Sequence, residues 1–326
     1  DLVHTWDWPQ CLDAFFGLFL HNRTPLLATS MSMVVDRILP KSIPTTFGTP
    51  ELLKKAVLSG RRRSHLLLPP VDVGHNSFDP EGAKLFRMTY GIMDGELLLV
   101  TVSRLVSWMK SESIRRTIQA VRILGKDMPI SFAIVGSGDS FAELERLAVE
   151  TNAHLGRSAV VMTGALLDPR PAYSAADIVV GMGSSALRGM AIGKPVVVVG
   201  ERGFSAPFGG DTAELFYYQG MYGLGDGEHS ADRLASDVRM LAASADQLPA
   251  LGDFGRQFVL QHFSLGAISE NLNRYCSLAV NAPPRTPELV LDGIRTAAVL
   301  AAHRVRRGGP SRVVALKGEK GMRATS

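Results

Sequence analysis

Short apolar runs alternate along the chain with stretches in which apolar residues recur every three to four positions. The runs are DLVH (1–4), PLLATS (25–30), HLLLPP (65–70), ELLLVTVSRL (96–105), ISFAIVG (130–136), AVVMTG (159–164), DIVVGM (177–182) and PVVVVG (195–200). Runs this short, bounded by Gly, Pro or Asp, predict strands covered on both faces. Between them, residues 111–126 place Ile114, Ile118, Val121 and Leu124 near helical spacing, and residues 139–156 do the same with Leu144, Leu147, Ala148 and Leu155. Alternating strands and helices predict an α/β protein with a parallel sheet and helices on both faces. The strands between residues 96 and 200 make one doubly wound domain.

Punctuation divides the chain. NSFDPEG (76–82) and YGIMDGE (90–96) are turn-rich, which places a boundary there. The resulting division is 1–90, an N-terminal Rossmann-like unit thin in strands; 91–265, a second Rossmann-like unit; 266–307, C-terminal helices; and 308–326, a flexible basic tail. Beyond residue 200, GFSAPFGGD (203–211) reads as a loop, and 231–248, 252–263 and 269–280 read as helices.

Composition narrows the picture. At 326 residues the chain is long enough for about two domains. Its 46% hydrophobic and 20% charged residues exclude a disordered polymer. Two cysteines, Cys11 and Cys276, exclude a disulfide framework and a cysteine-rich zinc site, and they fit a reducing, cytoplasmic setting. The longest apolar runs, such as Ala14–Leu20 and Val196–Val199, are too short to span a bilayer. The formal net charge of +4 belongs to the end of the chain. Seven Lys or Arg and one acid fall in 304–326, so the body is nearly neutral and no nucleic-acid partner is indicated. A weak contact of this tail with a membrane surface is the one anionic partner it suggests.

In a doubly wound sheet, ligands bind at the carboxyl ends of the strands, and three of those ends carry unusual residues. Ser103 and Arg104, with Lys110 shortly after, put two cations where a phosphate could be held. VGSGDSFAE (135–143) offers Gly136 and Gly138 for a tight turn, with Ser140 and Glu143 spaced as a capping box. GMGSSALRGMA (181–191) leaves the strand end uncluttered through Gly181 and Gly183. It then sets Ser184 and Ser185 where a helix N-cap belongs, their hydroxyls and the first-turn amides facing a ligand anion. Together the three ends point to a diphosphate. The Val135–Ser140 turn alone admits a dehydrogenase reading, but its glycines lack the dinucleotide spacing.

The blocks LLLVTVSRLVSWMKSESIRRTIQAV, FAIVGSGDSFAELERLA, VVMTGALLDPRPAYSAADIVV and LRGMAIGKPVVVVG resemble, in order and spacing, the C-terminal domain of retaining, family 4-like glycosyltransferases of the GT-B fold. DLVHTWDW and LLLPPVDVGHNSFDP are similar to that family's DVVHxH strand and its interdomain crossover. The resemblance implies two Rossmann-like domains facing a cleft, here with the N-terminal domain apparently incomplete. It also implies a nucleotide-diphosphate sugar as co-substrate, a small-molecule, lipid or glycan acceptor, and no metal cofactor. In its terms Arg104 and Lys110 hold the diphosphate and stabilise it as a leaving group. Gly164 and Ala165 match the loop against the base. Tyr173 matches the position before the next strand, and Ser184 and Ser185 match the donor-side loop and helix start. His4 and Asp7 fall on the acceptor side.

The sequence departs from that family at named positions. Arg188 stands where the family keeps a Glu that accepts hydrogen bonds from the ribose, and a guanidinium only donates. Met31 stands where a His is usual, GMGSS replaces a longer EGFG loop, and the Arg104–Lys110 spacing is one residue longer. These departures keep a second reading open, a catalytically inactive GT-B protein that binds a sugar nucleotide or a protein partner.

Overall fold

The computed structural model describes residues 1–107, 110–227 and 231–308. The expected basic tail lies, from residue 309 on, outside the described residues.

The first unit runs β1 (Val3–Trp6), α1 (Trp8–Ala14), a π-helical turn at Phe15–Phe19, α2 (Leu20–Asn22), β2 (Leu26–Ser30), β3 (Thr45–Phe47), α3 (Pro50–Leu58) and β4 (Ser64–Leu66). The four strands pair in sequence order, all parallel. The crossover from β2 to β3, residues 31–44, has no helix of its own, so its carbonyls need outside donors. Arg61 supplies three. One of its amino groups donates to Pro40 O (2.9 Å), and the other donates to Asp36 O (2.8 Å) and Leu39 O (2.6 Å). Burial, with Arg295 nearby, brings the Arg61 pKa down to about 10, so it stays a cation in ordinary buffers.

The second unit opens with α4 (Pro80–Thr89) and continues β5 (Leu97–Val102), α5 (Lys110–Leu124), β6 (Ile130–Val135), α6 (Phe141–Leu155), β7 (Val160–Gly164), α7 (Arg170–Ala175), β8 (Ile178–Gly181), α8 (Ser184–Ala191), β9 (Val196–Val199) and β10 (Ser205–Pro207). The sheet order is β10-β9-β8-β5-β6-β7, parallel except for the antiparallel edge β10. The order reverses direction between β5 and β8, which leaves a crevice at their carboxyl ends. One apolar cluster joins one face of the sheet to α7 and α8, and a second joins the other face to α5 and α6. Valine runs such as 196–199 are therefore buried on both sides, as their lack of alternation predicts.

Three elements differ from the sequence expectation. β3 is a three-residue strand hidden between Pro44 and Pro50. β10 falls inside the segment read as a loop; its Pro207 is tolerated because the strand is an edge. The capping box at α6 does not form. Glu143 is drawn outward to Arg115 (2.8 Å), and Ser140 accepts nothing from the first turn.

The remaining helices are α9 (Ala213–Gln219), α10 (Asp232–Ala243), α11 (Leu248–His262), α12 (Leu265–Asn281) and α13 (Thr286–Gly308). The last two return to the first unit. Tyr275 Oη of α12 donates to Leu66 O (2.9 Å). Leu289 of α13 joins Cys11, Phe15 and Leu26 in the first unit's core. Asp292, nearly buried, accepts from Ser42 N (2.7 Å) and binds Arg295, which donates to Arg37 O and Leu39 O. Conversely α4, on the near side of the expected boundary at residue 90, packs with the second unit, where Arg87 donates to Ala175 O and pairs with Asp177 (2.7 Å). The two chain crossings touch: Val71 N donates to Phe263 O (2.7 Å).

Arg61→Leu removes the donors of three crossover carbonyls at a position 2% exposed. It should lower unfolding free energy by about 3–5 kcal/mol, against under about 0.5 for the exposed Arg62→Leu, as read by urea denaturation.

Candidate functional site

The site begins with two backbones that touch. A Cβ on Gly136 would lie 1.8 Å from Ser103 O, and one on Gly138 would lie 2.3 Å from Leu105 O. Both glycines also hold positive φ, 148° and 156°. The contact is stitched by Ser103 N to Val135 O, Leu105 N to Ser137 O and Ser140 N to Leu105 O, each 2.9 Å. β5 and β6 thus stay paired beyond their regular ends. Leu105 is buried while Arg104, between the two anchored residues, is exposed. Gly136 N donates to Gly164 O (2.9 Å), which draws the end of β7 into the same rim.

At this rim lies a cavity of about 450 Å³. Its lining includes Ser103, Arg104, Lys110, Gly136, Ala165, Tyr173, Ser184, Ser185 and Arg188, so nine of the sequence-derived residues come together. Gly138, Gly164 and Gly183 do not line it; they shape the turns that do. Residues that the sequence reading missed are Val102, Val135, Ser137, Leu166, Leu167, Pro169 and Met182. Leu167 carried a usable signal: an apolar residue inside a Pro-bounded loop, here fully exposed at the mouth. That loop is braced by Arg170, whose Nε and Nη2 grip the Asp168 carboxylate at 2.6–2.9 Å.

The opening of α8 differs from the expected serine cap. Gly183 is the capping residue, at φ 56° and ψ −130°, with its N–H held by Met221 O (2.7 Å). That geometry turns the chain one residue early, so Ser184 and Ser185 occupy the first turn. Their amides and that of Ala186 are the ones a helix start leaves without intrahelical acceptors. Ser184 is exposed to the cavity, and Ser185 Oγ bonds the Tyr173 hydroxyl (3.1 Å). Burial pushes the Tyr173 phenol up to about 12, so it stays neutral. Gly189 lets α8 lie against β8, since a Cβ there would meet three Val179 atoms at 3.0 Å.

Among the described residues, the charged lining is Arg104, Lys110 and Arg188, with no Asp, Glu or His. Arg104 and Lys110 stand on the α5 side of the cavity; Arg188 stands on the side of α7 and α8. Burial first, and then Arg104, hold the Lys110 ammonium below its ordinary lysine value. An anion placed between these cations offsets both causes by favouring the charged form. The first turn of α8 adds its dipole from the third direction.

His4 and Asp7 do not line this cavity. His4 Nε2 lies 2.8 Å from Thr29 Oγ1, which lies 2.8 Å from Thr46 Oγ1, a polar ladder across three strands. Burial lowers the His4 pKa. Asp7 follows β1 at φ 67°, with Oδ1 buried and unpartnered. Met31 is exposed after β2. Among the described residues, no group of three or more His, Cys, Asp or Glu could hold a metal ion, and no helix is long and apolar enough to cross a membrane.

A larger hollow, about 1070 Å³, lies at the opposite end of the same sheet against Glu96, Pro129, Asp177 and Lys194. There the crossover helices present their negative ends, and the lining mixes both charge signs, so the smaller cavity is the better anion site.

Comparison with known proteins bears on the fold. Residues 96–216 match the family model described as glycosyl transferases group 1. A glycosyltransferase of Rickettsia africae superposes with a TM-score of 0.68 at 17% identity, covering 86% of this chain and 78% of that one. HepE of Anabaena, solved with UDP and glucose, gives 0.66 at 15% identity, covering 85% and 78%. Sucrose-phosphate synthase of Thermosynechococcus elongatus gives 0.64 at 18% identity, covering 86% and 74%. No curated protein matches the chain in sequence. The architecture is that of the GT-B glycosyltransferases, with two parallel-sheet Rossmann-like units.

The depressed Lys110 sets a pH dependence. Its charged form attracts phosphate and is lost as pH rises through its lowered pKa. Calorimetric affinity for a diphosphate probe should hold near neutrality and fall on the alkaline side earlier than for an ordinary lysine. Lys110→Arg should carry the affinity to higher pH.

Proposed function

We propose that the chain is a glycosyltransferase that moves a sugar from a nucleoside-diphosphate sugar to a small-molecule, lipid or glycan acceptor. The observation that carries this is the cavity at the reversal point of the second sheet. It brings Arg104, Lys110 and the first turn of α8 around one space. The fold shared with a protein solved in complex with UDP and glucose supports a nucleoside diphosphate as the group held there.

On this reading the base lies against the loop Ala165–Leu167, and the diphosphate lies between Arg104, Lys110 and the amides of Ser184 and Ser185. As the bond from the sugar to the diphosphate breaks, negative charge grows on the departing oxygen. Arg104 and Lys110 meet it with positive charge already in place, so little reorganisation accompanies the step. The same cations take the charge-neutralising role that a metal would otherwise fill, and no resident metal is required.

Retention at the sugar carbon is part of this reading, carried by the resemblance of the donor-side blocks to retaining enzymes. Among the described residues, the cavity lining holds no carboxylate or imidazole. In that course the leaving phosphate serves as the base, on the face it departs from. The acceptor enters from the first unit, where His4 and Asp7 mark the carboxyl end of β1. The polar ladder through His4 makes it the more structural of the two, and Asp7, with its unpartnered Oδ1, the better candidate to contact an acceptor.

The test is donor turnover. UDP-, GDP-, TDP- and ADP-sugars are screened for release of nucleoside diphosphate, and Arg104→Ala is assayed with the best donor. Turnover should fall by about a hundredfold or more, the size expected for removing a group that stabilises transition-state charge. Unchanged turnover would remove Arg104 from the phosphate site.

A further inference from the structure

We propose that Arg188 fits this cavity for a nucleotide ligand carrying an anionic group beyond its diphosphate. That group is a carboxylate on the transferred sugar or a phosphate on the ribose. The inference rests on the nucleotide-sugar reading above and goes beyond it to the class of ligand.

Arg188 occupies an unusual place on α8. Ala186, Leu187, Gly189, Met190 and Ala191 are all buried, so the helix spends nearly its whole surface on packing. Ser184 and Arg188, four residues apart, are the exposed pair on one face, and that face lines the cavity rather than the outer surface. Among the described residues, no carboxylate forms an ion pair with Arg188. Its polar neighbour is the Tyr173–Ser185 pair, which is neutral.

The charges do not balance with a plain diphosphate ester. Such an ester carries one ionised oxygen on each phosphate. Arg104 and Lys110 face it from the α5 side, and the first turn of α8 adds its partial charge. Arg188 is then a third full cation on the far side, beside Tyr173 and near the apolar lip Ala165–Leu167, with no acid among the described lining residues to match it. Hydroxyl groups of a ribose or a neutral sugar are poor partners for it, because they leave most of its donors without a strong acceptor. A planar, donor-only fork is matched by a carboxylate or a phosphate, which accept two parallel hydrogen bonds from it. A ligand with a third anionic group near the ribose or the sugar supplies that match.

Calorimetry on the intact protein separates the two sources. UDP-glucuronate is compared with UDP-glucose, and ADP carrying a 3′-phosphate with ADP. The anionic member of one pair should bind about tenfold or more tightly than its neutral counterpart, the worth of one charge-assisted hydrogen-bonded pair. The pair that shows the preference identifies whether sugar or ribose carries the group. Arg188→Gln should erase that preference, weakening the anionic member about tenfold more than its counterpart; because the side chain is exposed, its melting temperature should match the parent's. Equal affinities within both pairs, or a preference that survives in Arg188→Gln, would overturn the inference while leaving the nucleotide reading intact. Absence of binding by UDP, ADP, GDP and TDP alike would overturn the nucleotide reading and this inference with it.

Discussion

The carbonyls of Ser103 and Leu105 press against Gly136 and Gly138, and the positions of Arg104 and Lys110 follow from that contact. Two chains can approach this closely only where one has no side chain. The approach lets the β5–β6 ladder continue for several residues past the sheet. Arg104 therefore projects from a segment pinned on both sides, and α5 starts from a fixed point with Lys110 in its first turn. The same rim accepts β7 through Gly136 and Gly164. A rigid floor made of backbone leaves the side chains above it free to specialise.

That specialisation is electrostatic. Desolvation and a neighbouring guanidinium act against the Lys110 charge while the cavity holds no anion. Repulsion of this kind is tolerated because the surrounding sheet is buried on both faces and its packing dominates the stability. It makes the site a poor place for a cation and a good place for an anion, so the folded core sustains a local arrangement that no isolated loop would keep.

Much of this was legible in the chain because parallel strands covered on both faces read as unbroken apolar runs. β5, β6, β7, β8 and β9 were all visible for that reason, and the Arg104, Ser184 and Arg188 positions followed from strand-end logic. What escaped was set by tertiary partners. β3 is too short to show a period, and β10 carries a proline that only an edge position excuses. Ser140 and Glu143 had the spacing of a capping box, yet Arg115, distant in sequence, recruits the glutamate. Gly183 in place of Ser184 as the cap depends on the Met221 carbonyl, which no local pattern announces. The return of α12 and α13 to the first unit was hidden too, because an amphipathic helix states that it has a buried face and not which sheet buries it.

That return has a mechanical result. The chain passes from the first unit to the second near Val71 and comes back at Phe263, and these two passages are hydrogen-bonded side by side. A single covalent link would let one unit swing and slide in any direction. Two links clasped at one point act as an axle: they permit rotation about the line they define and resist separation and shear.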